Sequence, residues 1–332
     1  MQYALTMFLV AGLSPALALA QATDTKPATN ATAEQTKVTY PTGAVFAAEA
    51  KLIGEGYAFT EGPAFMPDPS VKPLGGYFIF CDVMPSKVFR WNGDGNIPEV
   101  FFESTEGALG TAIKPDGTIV QCRKNSRSVE EVTLEAGKVK STTTRAADFE
   151  GKKLNATNDC IVARDGSIWF TDPPFFTPKD EIQLDFTGVY RISPDGKLEA
   201  KARDIKYANG LAFSTDEKTL YVNDFAGKKV MAYAVNDKGD LAPPTLVADL
   251  AALAKTVNAQ GRGGADGMRV RSDGTILATG PGGVYALTQN GELNDFLPTG
   301  SASNIAIGGE KADIAVVTSG SRVFSVPLVP IK

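Results

Sequence analysis

A short pattern recurs six times along the chain, and it sets what the chain can fold into. The copies read EGPAF from Glu61, LGTAI from Leu109, NDCIV from Asn158, NGLAF from Asn209, DGMRV from Asp266 and SNIAI from Ser303. Their first residues lie 48, 49, 51, 57 and 37 positions apart. After the four central repeats of strand and turn come Asp116-Gly117, Asp165-Gly166, Asp216-Glu217-Lys218 and Asp273-Gly274. The runs that follow them, TIVQC, SIWFT, TLYVN and TILAT, are β-branched and aromatic at strand length. The first and last copies have looser turns, before GYFIF and ADIAVV.

Asp-Gly between two apolar runs marks a hairpin. Further turns at Asp94-Gly95, Asp195-Gly196 and Asn290-Gly291 fall between the copies and supply outer strands. Each unit therefore reads as about four antiparallel strands, and residues 41–332 shared among six units give about 49 residues each, which is the length of a propeller blade. The expected fold is all-β: a six-bladed β-propeller with four-stranded antiparallel blades. A seven-bladed version needs about 40 residues per unit and fits worse. The stretch DLAALAKTV is the one competing helical pattern.

The chemistry is bounded by an absence. The 332 residues contain no histidine, so no Ser-His-Asp or Cys-His catalytic arrangement and no His-ligated metal is available. Three cysteines, Cys81, Cys122 and Cys160, leave at least one unpaired. Cys81 and Cys122 hold similar positions in adjacent units, so a disulfide between them is open; Cys160 reads as core, as do Trp91 and Trp169. The net charge of −5 excludes a strongly basic nucleic-acid surface as the default.

Residues 1–20 end an apolar, uncharged run in Ala18-Leu19-Ala20, which reads as a signal peptide and predicts a periplasmic or secreted protein. A membrane anchor is the alternative, although Pro15 interrupts the run. Residues 21–40 read as a disordered leader, and residues 41–332 as the propeller, expected to act as a monomer without membrane contact after cleavage.

In a propeller the first strand of every blade lines the central channel, so equivalent positions converge on the axis. The leading residues of the copies are Glu61, Leu109, Asn158, Asn209, Asp266 and Ser303. Four of these six carry a carboxylate or carboxamide. Two acids and two amide oxygens around a wet axis suit one hard divalent cation, Ca2+ before Mg2+, Mn2+ or Zn2+. The competing reading makes Asn209-Gly210 and Asp266-Gly267 ordinary turn dipeptides. Against it, the hairpin turns already lie elsewhere, and Glu61-Gly62-Pro63 and Asn158-Asp159-Cys160 share the register without being such turns. Asp172 and Asp224 end second strands in their units and are candidates to hold substrate hydroxyls at the channel mouth, with Asp82 a weaker one. Arg123, with Lys124, is a candidate cationic substrate contact.

Several segments resemble the family of senescence marker protein, gluconolactonase and luciferin-regenerating enzyme, in its bacterial gluconolactonase-like branch. They are EGPAF at 61, NDCIVARDGSIWFTDPPF at 158, YANGLAFSTDEKTLYVNDF at 207, ADGMRVRSDGTILATGPGGVY at 265 and SNIAIGG at 303. The resemblance implies a six-bladed propeller that uses one axial cation, usually Ca2+, to open sugar or other lactones. It carries the family's metal ligands to Glu61, Asn209 and Asp266. Asn158 matches a residue that binds metal in one branch and substrate elsewhere. Asp266 falls where the family's proposed proton acceptor stands. Ala156 replaces a sugar-holding Arg of the animal members, and Arg123 and Lys124 follow Cys122 where the bacterial branch often has an acid and a His. A phosphotriesterase on the same cation, or a non-catalytic ligand-binding propeller, are the alternative functions.

Overall fold

Each copy of the repeat forms the innermost strand of one sheet: Thr60–Pro67, Ala108–Ile113, Cys160–Val162, Ala208–Phe213, Met268–Val270 and Asn304–Gly308. The structure is a computed structural model and describes residues 44–331 except 94, 96 and 206. The expected signal peptide and leader lie outside the described residues. Among those described, six four-stranded antiparallel sheets form the six blades of a β-propeller. In the first five blades the strands follow chain order from the axis outward. The sixth is closed by an early segment: Lys51–Glu55 pairs antiparallel with Arg322–Pro327 as the outermost strand. The approach to that strand is pinned by Asp295, whose carboxylate accepts the N–H groups of Val45 and Phe46 at 2.8 and 3.0 Å. A closed ring of sheets leaves few exposed edges, and joining its two ends in one blade ties first to last.

The expected hairpins are present among the described residues; Asp94 of the expected turn Asp94-Gly95 lies outside them. Gly117, Gly166 and Gly274 take φ of 84°, 85° and 85°, a conformation that glycine reaches without a Cβ penalty. The fourth blade has Glu217 there, at φ 57°. Its carboxylate accepts the N–H of Arg164 at 3.0 Å, a compensating contact for a strained residue. DLAALAKTV supplies the helix Leu250–Thr256, capped by Asp249 Oδ1 on the N–H of Ala252.

Alternation along the strands sends one set of side chains to each neighbouring blade. The core is therefore a series of inter-blade layers. Leu277, Val284 and Ala286 of the fifth blade pack with Ile305, Ala315 and Val317 of the sixth. Phe78 and Phe80 are fully buried against Ala306 and Val316, each contributing about 1.5–3 kcal/mol of burial. Cys81, Cys122 and Cys160 are all free thiols in these layers, so no disulfide joins Cys81 to Cys122. Burial pushes the Cys81 thiol up to about 12.

Candidate active site at the propeller axis

The leading residues of all six copies share one register. In three blades the ladder bulges here, at Gly62, Gly110 and Gly210; the residues in the same place in the other three are Asp159, Gly267 and Asn304, the last paired with Thr318. Neighbouring blades use the backbone groups at this position. Gly110 N–H donates to Asn158 O at 2.7 Å, Gly210 N–H to Asp266 O at 3.1 Å, and Gly267 N–H to Ser303 O at 2.7 Å. The ring of leading residues is thus stitched through its own backbone. Glycine is required where blades approach this closely: a Cβ on Gly62 would lie 1.9 Å from Leu109 O.

The two non-glycine residues at this second position, Asp159 and Asn304, fill the channel below the ring. Asp159 Oδ1 accepts the N–H of Cys160 at 2.9 Å, and Asn304 Oδ1 accepts the N–H of Ile305 at 2.8 Å. That bond turns Asn304 Nδ2 toward the acids, where it donates to Glu61 Oε2 at 3.1 Å and to Asp159 Oδ2 at 3.2 Å. Asp159 belongs to the third blade and Asn304 to the sixth, so this contact crosses the axis. Glycines of adjacent blades make room for it. A Cβ on Gly110 would lie 2.3 Å from Asp159 Oδ1, and one on Gly267 would lie 2.0 Å from the Asn304 amide. Beneath them Arg269 reaches across. Its Nη2 donates to Thr111 O at 3.4 Å in the second blade, and its Nη1 lies 3.8 Å from Asp159 Oδ2.

Above this floor stand Glu61, Asn209 and Asp266, with half-buried Asn158 in the same ring. The Asn209 side chain beside Asp266 favours the charged form of its carboxylate. Asn223 Nδ2 braces Asp266 through its backbone carbonyl. Burial, then repulsion from Asp159, pushes the Glu61 carboxyl up to about 7. Burial, then Glu61 and Asp159, raises Asp266 well above the usual carboxylate range. The ring therefore gathers more negative charge than its surroundings neutralise. Among the described residues no three His, Cys, Asp or Glu side chains close into a metal cluster. The donor set is mixed, with Glu61 and Asp266 supplying charge and Asn158 and Asn209 neutral oxygens. That set fits a hard divalent cation.

The remaining leading residues do other work. Leu109 is buried and apolar, and Ser303 Oγ donates to Thr60 O at 2.8 Å. The expected mouth contacts are placed differently from the ring. Asp172 is fully buried and accepts the N–H of Asn155 at 2.8 Å, clamping the loop that leads to Asn158. Its carboxyl is pushed up to about 7 by burial. Asp82, in the same register, clamps Ala58 and Phe59 in the same way. Asp224 is folded against its own turn, where a Cβ on Gly227 would meet its Oδ2 at 2.4 Å. Arg123 is buried, with Nη2 on Gln121 Oε1 at 3.1 Å. Asp159, Asn304 and Arg269 were not among the sequence candidates. The signal for the first two was present: they are the two departures from glycine at the second position of the repeat.

Fold and ring together define a propeller with an acid–amide centre at one end of its axis. The chain belongs to the SMP-30/Gluconolactonase/LRE-like family, whose pattern matches residues 59–321. It is 27% identical over 302 residues to the gluconolactonase of Zymomonas mobilis, covering 83% of this chain and 80% of that one. A solved gluconolactonase from Xanthomonas campestris is 28% identical with a TM-score of 0.73, covering 88% of this chain and 94% of that one. The calcium-binding protein regucalcin of Agrobacterium tumefaciens, 18% identical over 86% of this chain and 96% of its own, shares the fold at a TM-score of 0.66. The relatives named for an activity support a lactonase.

Proposed function

We propose that the protein is a divalent-metal-dependent lactonase, exported by its N-terminal segment, that opens a lactone with water at the axial ring. The observation that carries this reading is the convergence of Glu61, Asn209 and Asp266 over the Asn304–Asp159 floor, with the two ring acids driven toward their protonated forms. The likeness to two gluconolactonases supports the reaction class.

Glu61, Asn158, Asn209 and Asp266 would hold the cation, which when bound supplies Lewis-acid polarisation of the lactone carbonyl. Asp266 takes a proton from the attacking water and returns it to the ring oxygen as the acyl–oxygen bond breaks. Asn209 favours the charged form of the Asp266 carboxylate beside it. Glu61 is held in place by its own Gly62 N–H at 2.7 Å and by Asn304. Asn158, half-exposed in the ring, would touch both cation and substrate.

The test is activity on a lactone panel after chelation, followed by re-loading with Ca2+, Mg2+, Mn2+ and Zn2+ in turn. Loss on chelation and recovery with a hard cation is the expected result. Full activity after exhaustive chelation, or none with any ion, contradicts the reading.

A further inference from the structure

The loops on the site side are very unequal. Between second and third strands, five blades connect through 83–86, 124–127, 225–228, 281–282 and 320–321, but the third blade takes residues 172–188. This long loop leans toward the fourth blade. The Phe175 ring stacks on Tyr207 at 5.4 Å and 12°, and meets Phe225 edge-on at 4.9 Å and 67°.

The three rings are tied to the catalytic ring by chain position. Tyr207 precedes Asn209 by two residues, and its carbonyl accepts the N–H of Phe225 at 3.0 Å. Phe225 is seated on Gly264, where a Cβ would lie 2.5 Å from its ring, and Gly264 precedes Asp266 by two residues. All three aromatics are half-buried, leaving ring surface in solvent. Of the two acids expected to hold hydroxyls, Asp172 is buried on the Asn155 N–H and Asp224 is folded against its own turn at Gly227, and the expected cationic contact Arg123 is buried on Gln121. The segments leading into Asn209 and Asp266 thus carry an aromatic cluster, and such a cluster pairs well with a flat apolar face.

We infer that the site selects lactones carrying a flat apolar face beside the ring carbonyl, an aromatic-fused lactone being the simplest, over polyhydroxylated ones. This rests on the lactonase reading. Phe175, Tyr207 and Phe225 are the specificity-determining residues. In the reaction, water adds to the carbonyl, the acyl–oxygen bond breaks, and the proton passes to the leaving phenolic oxygen, giving one hydroxy acid.

The experiment measures kcat/KM of the full, cation-loaded chain on 3,4-dihydrocoumarin and on glucono-1,5-lactone, each relative to its uncatalysed hydrolysis. The wild type is expected to favour the aromatic lactone. Phe175→Ala and Gly264→Ala, which remove or displace a ring, should lower that preference by about 3- to 10-fold, mainly through KM for the aromatic substrate. Inhibition by the ring-opened aromatic hydroxy acid should weaken in parallel. Phe176→Ala, on an exposed neighbour outside the stack, should leave the preference unchanged. If Phe175→Ala does not fold, Phe175→Leu keeps volume without the aromatic face and gives the same comparison. A wild type that prefers the polyhydroxylated lactone, or variants that melt normally with an unchanged preference, would overturn the inference and leave the lactonase reading standing. Hydrolysis of neither lactone with any cation would remove the lactonase reading and the inference with it.

Discussion

The axial ring and the rim above it are built on opposite rules. In the ring, six blades place a leading residue and its successor at the same depth, and backbone bonds from Gly110, Gly210 and Gly267 tie them to the next blade. At the rim, each blade goes its own way, from two-residue turns at 281–282 and 320–321 to the excursion 172–188. The difference teaches where the tolerance for change lies. A ring position is constrained by two neighbouring blades and by the fold's closure, whereas a rim residue answers only to its own loop and to substrate.

Substitutions test that contrast, beginning with the ring. Asp266→Asn should lower turnover by about 10²- to 10⁴-fold, the range of a lost general base, while the protein still folds. Retained turnover with cation bound would contradict the role given to Asp266. Asn304→Ala removes the amide shared by Glu61 and Asp159, and should weaken cation binding by about 10- to 100-fold in a calorimetric titration. Unchanged binding would make the floor a packing feature alone. Gly267→Ala forces a Cβ to within 2.0 Å of the Asn304 amide; a loss of about 1–3 kcal/mol in unfolding free energy is expected, readable by denaturant melts. A rim change such as Lys124→Ala should stay within about 0.5 kcal/mol.

Asp172 lies between the two regimes, and pH separates its contribution. Burial raises its carboxyl to about 7 in the fold, against an ordinary value of 3.8. Between those values the folded chain holds a proton that the unfolded chain has lost. The stability tied to this group is present below about pH 4 and lost as pH rises through about 7. Asp172→Asn should therefore flatten this part of the stability–pH curve, measured by thermal melts across pH 4–8. An identical slope in both proteins would mean that Asp172 does not titrate in this range.

The ring was legible in the sequence because repetition announces itself. Glu61, Asn209 and Asp266 head copies of one pattern, and propeller closure brings such positions together whatever their separation along the chain. The floor was harder to see. Asp159 and Asn304 differ from Gly62, Gly110, Gly210 and Gly267 by acquiring a side chain at the second position of the repeat, a contrast that gains meaning only once that position is known to face the axis. Arg269 gave no signal, since one cation on a strand does not reveal that it crosses a channel. The rim misled for a different reason. Asp172 and Asp224 lie in the register that predicts a channel mouth, but a carboxylate at a strand end is equally able to take backbone N–H groups of an incoming loop. Asp172 does so at Asn155 and Asp82 at Ala58 and Phe59. The aromatic cluster depends on where a long loop falls, which no local periodicity encodes.

The most direct measurement is anomalous scattering from crystals of the protein loaded with Mn2+. The account predicts one strong peak on the axis, about 2.0–2.6 Å from oxygens of Glu61, Asn158, Asn209 and Asp266. A fully loaded crystal with no peak there, or with its only strong peak at another face of the propeller, would contradict it.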